Sequence, residues 1–175
     1  MLINVSFFIS GPRHIQNASI AEIPTHDSLA VNEAIWGYIK AFQLEFLRSA
    51  VGSDLSRAIT DYLEIVEHEK EEAIEDEEKE SESGYALLCD KLRESFADYV
   101  FFHILRDMNT QATITGLVRL KCANEYIAPI RRQVSTWNGM VKKNRVFVEW
   151  ASSNDCPFAV KIDKNLLTMI NTFNL

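Results

Sequence analysis

Apolar residues recur along much of this chain at helical rather than strand spacing. Ile35, Ile39, Phe42 and Phe46 step by four, three and four, which lines them along one face of a helix predicted over 29–50. Trp36, Tyr38 and Leu47 widen that stripe, Asp27 or Ser28 is the expected N-cap, and Gly52 ends the helix. A second helix opens at Ser53 or Asp54 and carries Leu55, Ile59, Tyr62 and Val66 at the same spacing. A third, over 85–107, is the most apolar: Leu88, Leu92, Phe96, Tyr99 and His103 mark one stripe, and Tyr99 to Phe102 has no polar residue. A helix apolar on every side is surrounded by partners, so this one is expected at the centre. Pro129 suits the first position of a fourth helix reaching about Ala151, with Ile130, Val134, Trp137, Val141 and Val148 on one face.

The rest of the chain punctuates these helices. Met1 to Ser10 is apolar and reads as a strand or packing arm, and Gly11, Pro12 and Pro24 break the stretch that follows. Ile114 to Lys121 alternates loosely and predicts a short strand or hairpin. After Pro157, Phe158 to Ile162 reads as a possible strand, and Asp163 or Lys164 starts a short helix bearing Leu166, Leu167, Ile170 and Phe173. The expected fold is therefore mainly α: a bundle of about four to five helices, a short β-hairpin or strand element, and extended terminal arms. Its divisions are an N-terminal strand or arm (1–26), a helical core (27–152, with an acidic excursion at 64–84) and a C-terminal arm (153–175).

Composition places the chain among ordinary globular domains: of 175 residues, 47% are hydrophobic and 25% charged, which argues against wholesale disorder. A net charge of −7 argues against a general nucleic-acid-coating role, which needs a basic footprint. The three cysteines, Cys89, Cys122 and Cys156, are scattered and form no CxxC pair, so reduced thiols in a cytosol are expected. The apolar N-terminus lacks a basic n-region and is too short to span a bilayer, so no membrane partner is expected.

No nucleotide-binding, nucleophile-elbow or zinc-protease motif occurs. His68 lies four residues from both Glu64 and Glu72, a spacing able to hold a divalent ion, yet a glutamate-rich run produces it by chance. His103 with Asp107 has the spacing of an oriented base, but the apolar face it occupies fits a hydrogen-bonded core histidine better. Neither enzyme activity nor a cofactor or metal is expected. Charge segregation is the sharper signal. From Glu64 to Glu82 there are eleven acidic residues against Lys70 and Lys79, whereas Arg119, Lys121, Arg131, Arg132, Lys142, Lys143 and Arg145 face only Glu125 over 119–145. The plain reading is two solvated faces of one domain. The alternative is a head-to-tail subunit interface in which Glu67, Glu71 and Glu75 of one copy meet those cations of the next, with Trp150 as a candidate anchor.

The run from Tyr99 through Arg106-Asp107 and a threonine-rich loop to Thr115-Gly116, followed by Trp137-Asn138-Gly139-Met140-Val141, resembles head–tail connector (adaptor) proteins of tailed bacteriophages, as found in phages and prophages of gut Bacteroidetes. Phe46 to Leu55 resembles the helix, glycine, new-helix opening of such adaptors, so the likeness spans roughly 30–150, and its motifs are structural rather than catalytic. The resemblance implies a virion structural protein at the head–tail junction, made in the host bacterial cytoplasm. It would form a ring, typically of about twelve copies, between portal and tail proteins. DNA would pass through the lumen without sequence-specific binding. Glu71, Glu72, Glu75 and Glu78 would then be candidates to line the channel and repel phosphates. The tail residues Phe158, Val160, Ile162, Leu166, Leu167, Ile170 and Phe173 would be candidates to dock on portal or a neighbouring ring. The competing expectation is a cytosolic helical interaction or regulatory module that binds a basic partner through its acidic helix.

Overall fold

The computed structural model describes residues 1–72, 80–108, 110–113, 116–119 and 129–173. Four α-helices form the body: α1 (His26–Val51), α2 (Ser53–Glu72), α3 (Glu80–Met108) and α4 (Pro129–Ala151). The protein is a mainly helical bundle, as the period of its apolar residues predicts. The central helix is α3, which packs on each of the other three. Leu88, Leu92, Phe96, Ala97 and Val100 on it are fully buried, and Phe101, Phe102 and Ile104 nearly so. Every residue from Ser95 to Ile104 is buried, so this part of α3 has a neighbour on each side, and the hydrophobic effect places it inside. Among the described residues no helix is long and apolar enough to cross a membrane.

Helix ends depart from the sequence reading in ways local chemistry explains. Thr25, not Asp27 or Ser28, caps α1: its Oγ1 accepts the Ser28 N–H at 3.2 Å. Asp27 thereby falls in the first turn, where its carboxylate meets the positive end of the helix dipole. Gly52 turns the chain from α1 into α2 at φ +91°, a conformation that strains any side chain, and donates its N–H to the Arg48 carbonyl at 3.0 Å. Helix α3 begins at Glu80 rather than 85, so the segment from Ser81 to Gly84, expected to close the acidic excursion, belongs to its first turns. Gly84 leaves room for the Phe158 ring, which a Cβ there would approach to 3.2 Å.

The contact face of α4 is rotated from the predicted one. Met140, Val141 and Phe147 are buried with Gln133 and Asn144, whereas Ile130, Val134 and Val148 are only half-buried. Two polar residues on the face hid it from a count of apolar positions. Gln133 Nε2 donates to the Leu105 carbonyl and Asn144 Nδ2 to the Leu166 carbonyl, each at 3.0 Å, which offsets part of the cost of burying them, while Asn144 Oδ1 has no partner among the described residues.

Neither terminal arm is a strand. Met1 to Phe8 packs on the bundle through buried Leu2, Ile3, Val5 and Phe8, and Val5–Phe8 is a 3-10 turn. Phe158, Val160 and Ile162 turn toward the core while Ala159 and Lys161 face solvent. That alternation is the period of an extended chain, here laid on helices rather than paired with a strand. The short terminal helix is a 3-10 turn, Lys164–Leu167, capped by Asp163. The strand or hairpin expected over Ile114 to Lys121 falls in a stretch whose residues 114–115 and 120–128 lie outside the described set.

Candidate functional site

The cations expected to form one basic face divide into two groups. Lys143 and Arg132 are used inside the subunit. Arg13, in the 3-10 turn Gly11–Arg13, meets Asp98 at 3.1 Å and Glu94 at 2.7 Å, and also donates to the Glu94 carbonyl at 3.1 Å. Lys143 pairs with the other Asp98 oxygen and lies 3.7 Å from Glu94. Arg132 donates to the Pro12 carbonyl at 3.1 Å and sits over the Phe101 ring at 4.9 Å. These contacts tie the N-terminal arm to α3 and α4 and rim a cleft of about 340 Å³. Burial works against the Glu94 charge, but Arg13 and then Lys143 outweigh it and hold the carboxyl below its ordinary range. Arg132 and Lys143, expected to serve a neighbouring subunit, thus already have partners in their own chain.

Arg131, Lys142 and Arg145 remain exposed on α4. Arg131 and Lys142 have no ion pair among the described residues, and Arg145 spends one N–H on the Leu167 carbonyl at 3.2 Å. On the acidic side Glu67 meets the Met1 amino group at 3.2 Å. Glu75, Glu78 and Lys121 lie outside the described residues, as do the side chains of Glu71, Glu72 and Arg119, and of His68. Every residue expected to line a channel is in that set. Trp150 is half-buried against Phe147, with the Lys91 ammonium 5.8 Å from its ring, so the expected interface anchor already packs within the subunit.

The tail expected to reach for another protein is folded onto its own bundle. Phe158 stacks on Tyr85 at 4.8 Å, the Asp163 N–H meets the Ser49 carbonyl at 2.7 Å, and Leu166 is buried. From there the tail runs back along α4, held by side chains gripping its main chain. Trp137 Nε1 donates to the Thr168 carbonyl at 2.9 Å, and the Asn138 side chain both donates to and accepts from the backbone of Ile170 at 2.9 Å. Val160, Ile162, Leu167 and Ile170 are half-buried, and only Phe173 of the expected docking residues is open to solvent, at 94%. Docking through the buried Leu166 would require that part of the tail to leave the bundle. Asn138→Ala removes both bonds to Ile170 and is expected to cost about 2 kcal/mol. Amide hydrogen exchange at Ile170 and the urea midpoint read the change, and an unaltered exchange rate would show that the clamp does not hold the tail.

His103 is a core residue, as expected, but not a hydrogen-bonded one. It is 7% exposed, its ring stacks on Phe42 at 3.9 Å with Tyr99 and Phe102 edge-on, and neither ring nitrogen has a partner. Burial first, then the Arg106 charge, push its pKa from 6.5 down to about 4. Its supposed orienting partner, Asp107, instead accepts from the Tyr38 hydroxyl at 3.1 Å. A neutral imidazole sealed among aromatic rings cannot reach a substrate. Cys89 is likewise core, and burial raises its thiol to about 11.

No protein-family model, curated protein or solved structure matches this chain.

The residues that sequence reasoning missed are Arg13, Glu94, Asp98, Gln133, Asn138 and Asn144. Asp98 carried a usable signal: a carboxylate between Ala97 and Tyr99 in an otherwise apolar stretch has to be paired once buried. Its partner on α4 is 45 residues away, beyond any local pattern.

Proposed function

We propose that this chain is a structural assembly protein, a subunit of a ring connecting a phage portal to the tail. The observation that carries the reading is that exposed acidic and basic charges stand on two different helices, Asp61 and Glu64 on α2 and Arg131 and Lys142 on α4, with no partner in their own chain among the described residues. Unpaired charge of opposite sign at two separate places is what a head-to-tail contact between copies uses to steer and register them. The segments that resemble connectors fit a structural role: Met140 and Val141 are buried against α3, and Trp137 and Asn138 hold the tail.

The finer features belong to the same proposal. A short hairpin joins α3 to α4, supported by antiparallel pairing of Thr110–Thr113 with Gly116–Arg119. The ring holds about twelve copies, and the acidic stretch between α2 and α3 faces the lumen through which DNA passes. The test is to mix the purified chain with a portal and look for added ring density by electron microscopy. Stacked rings are expected. A chain that never co-assembles with portal, yet captures a basic peptide through α2, would favour the regulatory-module reading instead.

A further inference from the structure

Three exposed charges on α2 and three on α4 share one spacing. Arg57, Asp61 and Glu64 step by four and three along the outer side of α2, and Glu149, Arg145 and Lys142 step by four and three when α4 is read backwards. All six are exposed, and no ion pair links any of them to a residue of its own chain among those described. On a helix, steps of four and three keep residues on one face, with about 10 Å between the first and last of each set. Laid antiparallel, the two sets meet opposite sign at every position: Arg57 to Glu149, Asp61 to Arg145, Glu64 to Lys142. The single cation of the acidic set thus falls against the single anion of the basic set. Simple segregation of negative from positive faces does not require that match.

We propose that α2 of one copy docks antiparallel on α4 of a second copy through these three pairs. The inference rests on the assembly reading above and specifies its contact. Exposed Ile65 and Val146 flank the two charged stripes, 54% and 65% accessible, and supply apolar surface beside them. The Arg145 bond to Leu167 occupies one N–H of a guanidinium that carries five, so it leaves the others for Asp61. The contact is heterologous: each copy keeps a free α4 at one side and a free α2 at the other, so it propagates from copy to copy until a ring closes. Two crossing helices bury well under the roughly 1,200 Å² that a stable complex needs, and exposed pairs add little affinity. The contact therefore sets register, and association of free chains is weak and sensitive to salt.

The experiment uses the full chain at millimolar concentration and low ionic strength, with sedimentation as the readout. Self-association is expected, falling at least tenfold when salt is raised to about 0.5 M. Asp61→Lys/Glu64→Lys and Lys142→Glu/Arg145→Glu should each be monomeric, because each gives both faces the same sign. Mixed in equal amounts, the two variants should associate again. Melting curves close to the parent's establish that both are folded, and the single variants Glu64→Lys and Lys142→Glu carry the same test should a double variant fail to fold. Variants that associate as well as the parent would overturn the contact while leaving the assembly reading to the portal experiment. A parent that stays monomeric under these conditions, or a mixture that does not recover, also overturns it.

Discussion

Asp98→Ala is expected to lower the unfolding free energy by about 3 kcal/mol, at the lower end of the cost of breaking a buried ion pair. Asp98 is 8% exposed and holds Arg13 on one oxygen and Lys143 on the other. Removing it leaves the Arg13 guanidinium, whose side chain is only 16% exposed, with the Glu94 contacts alone. Lys143 is 41% exposed and can turn to water, which is why the larger losses seen for fully enclosed pairs are not expected here. With a urea slope of about 2 kcal/mol/M, the midpoint should fall by roughly 1.5 M. Because the arm, α3 and α4 meet at this one carboxylate, Asp98→Ala and Lys143→Ala should be markedly non-additive. A loss under about 1 kcal/mol, or simple additivity, would mean the cluster does not join the three elements energetically.

The second large effect is on acid stability. The His103 pKa is lowered from 6.5 to about 4 by burial among Phe42, Tyr99 and Phe102, so the unfolded chain takes up the proton before the folded one does. The contribution is fully present above pH 6.5, declines as pH falls through the window, and is exhausted below about 4. At about 1.4 kcal/mol per tenfold, that window corresponds to roughly 3 kcal/mol. His103→Leu should flatten this limb of the stability-against-pH curve. At pH 7 it should be near neutral or stabilising by about 1 kcal/mol, because two ring nitrogens without partners leave the core while the stacking on Phe42 is lost. Denaturant titrations of both chains at pH 7, 5.5 and 4.5 separate the outcomes, and a variant as acid-sensitive as the parent would place the titration elsewhere.

Much of the bundle was legible from residue order. Helix period, the glycine corner at Gly52, the proline start of α4 and the apolar Tyr99–Phe102 stretch that centres α3 are properties of neighbours in the chain, set by local sterics and by burial of contiguous apolar residues. The charge split was visible for the same reason. Less legible were elements whose partner is remote. Phe158 to Ile162 shows a strand's alternation, but a strand needs a second edge to pair with, and only the fold shows helices beneath it. Lys143 reads as surface charge until Asp98 stands beside it.

Sequence alone therefore determined the helices, their apolar faces and the separation of acidic from basic residues, because each depends on side chains within a few turns of one another. Tertiary structure decided which of those charges are consumed at home, that Gln133 and Asn144 belong to the core, and that the tail is a strap rather than a free arm. The physical reason is that a buried polar group costs least where a partner meets it, and for Gln133, Asn144 and Asp98 those partners come from distant parts of the chain.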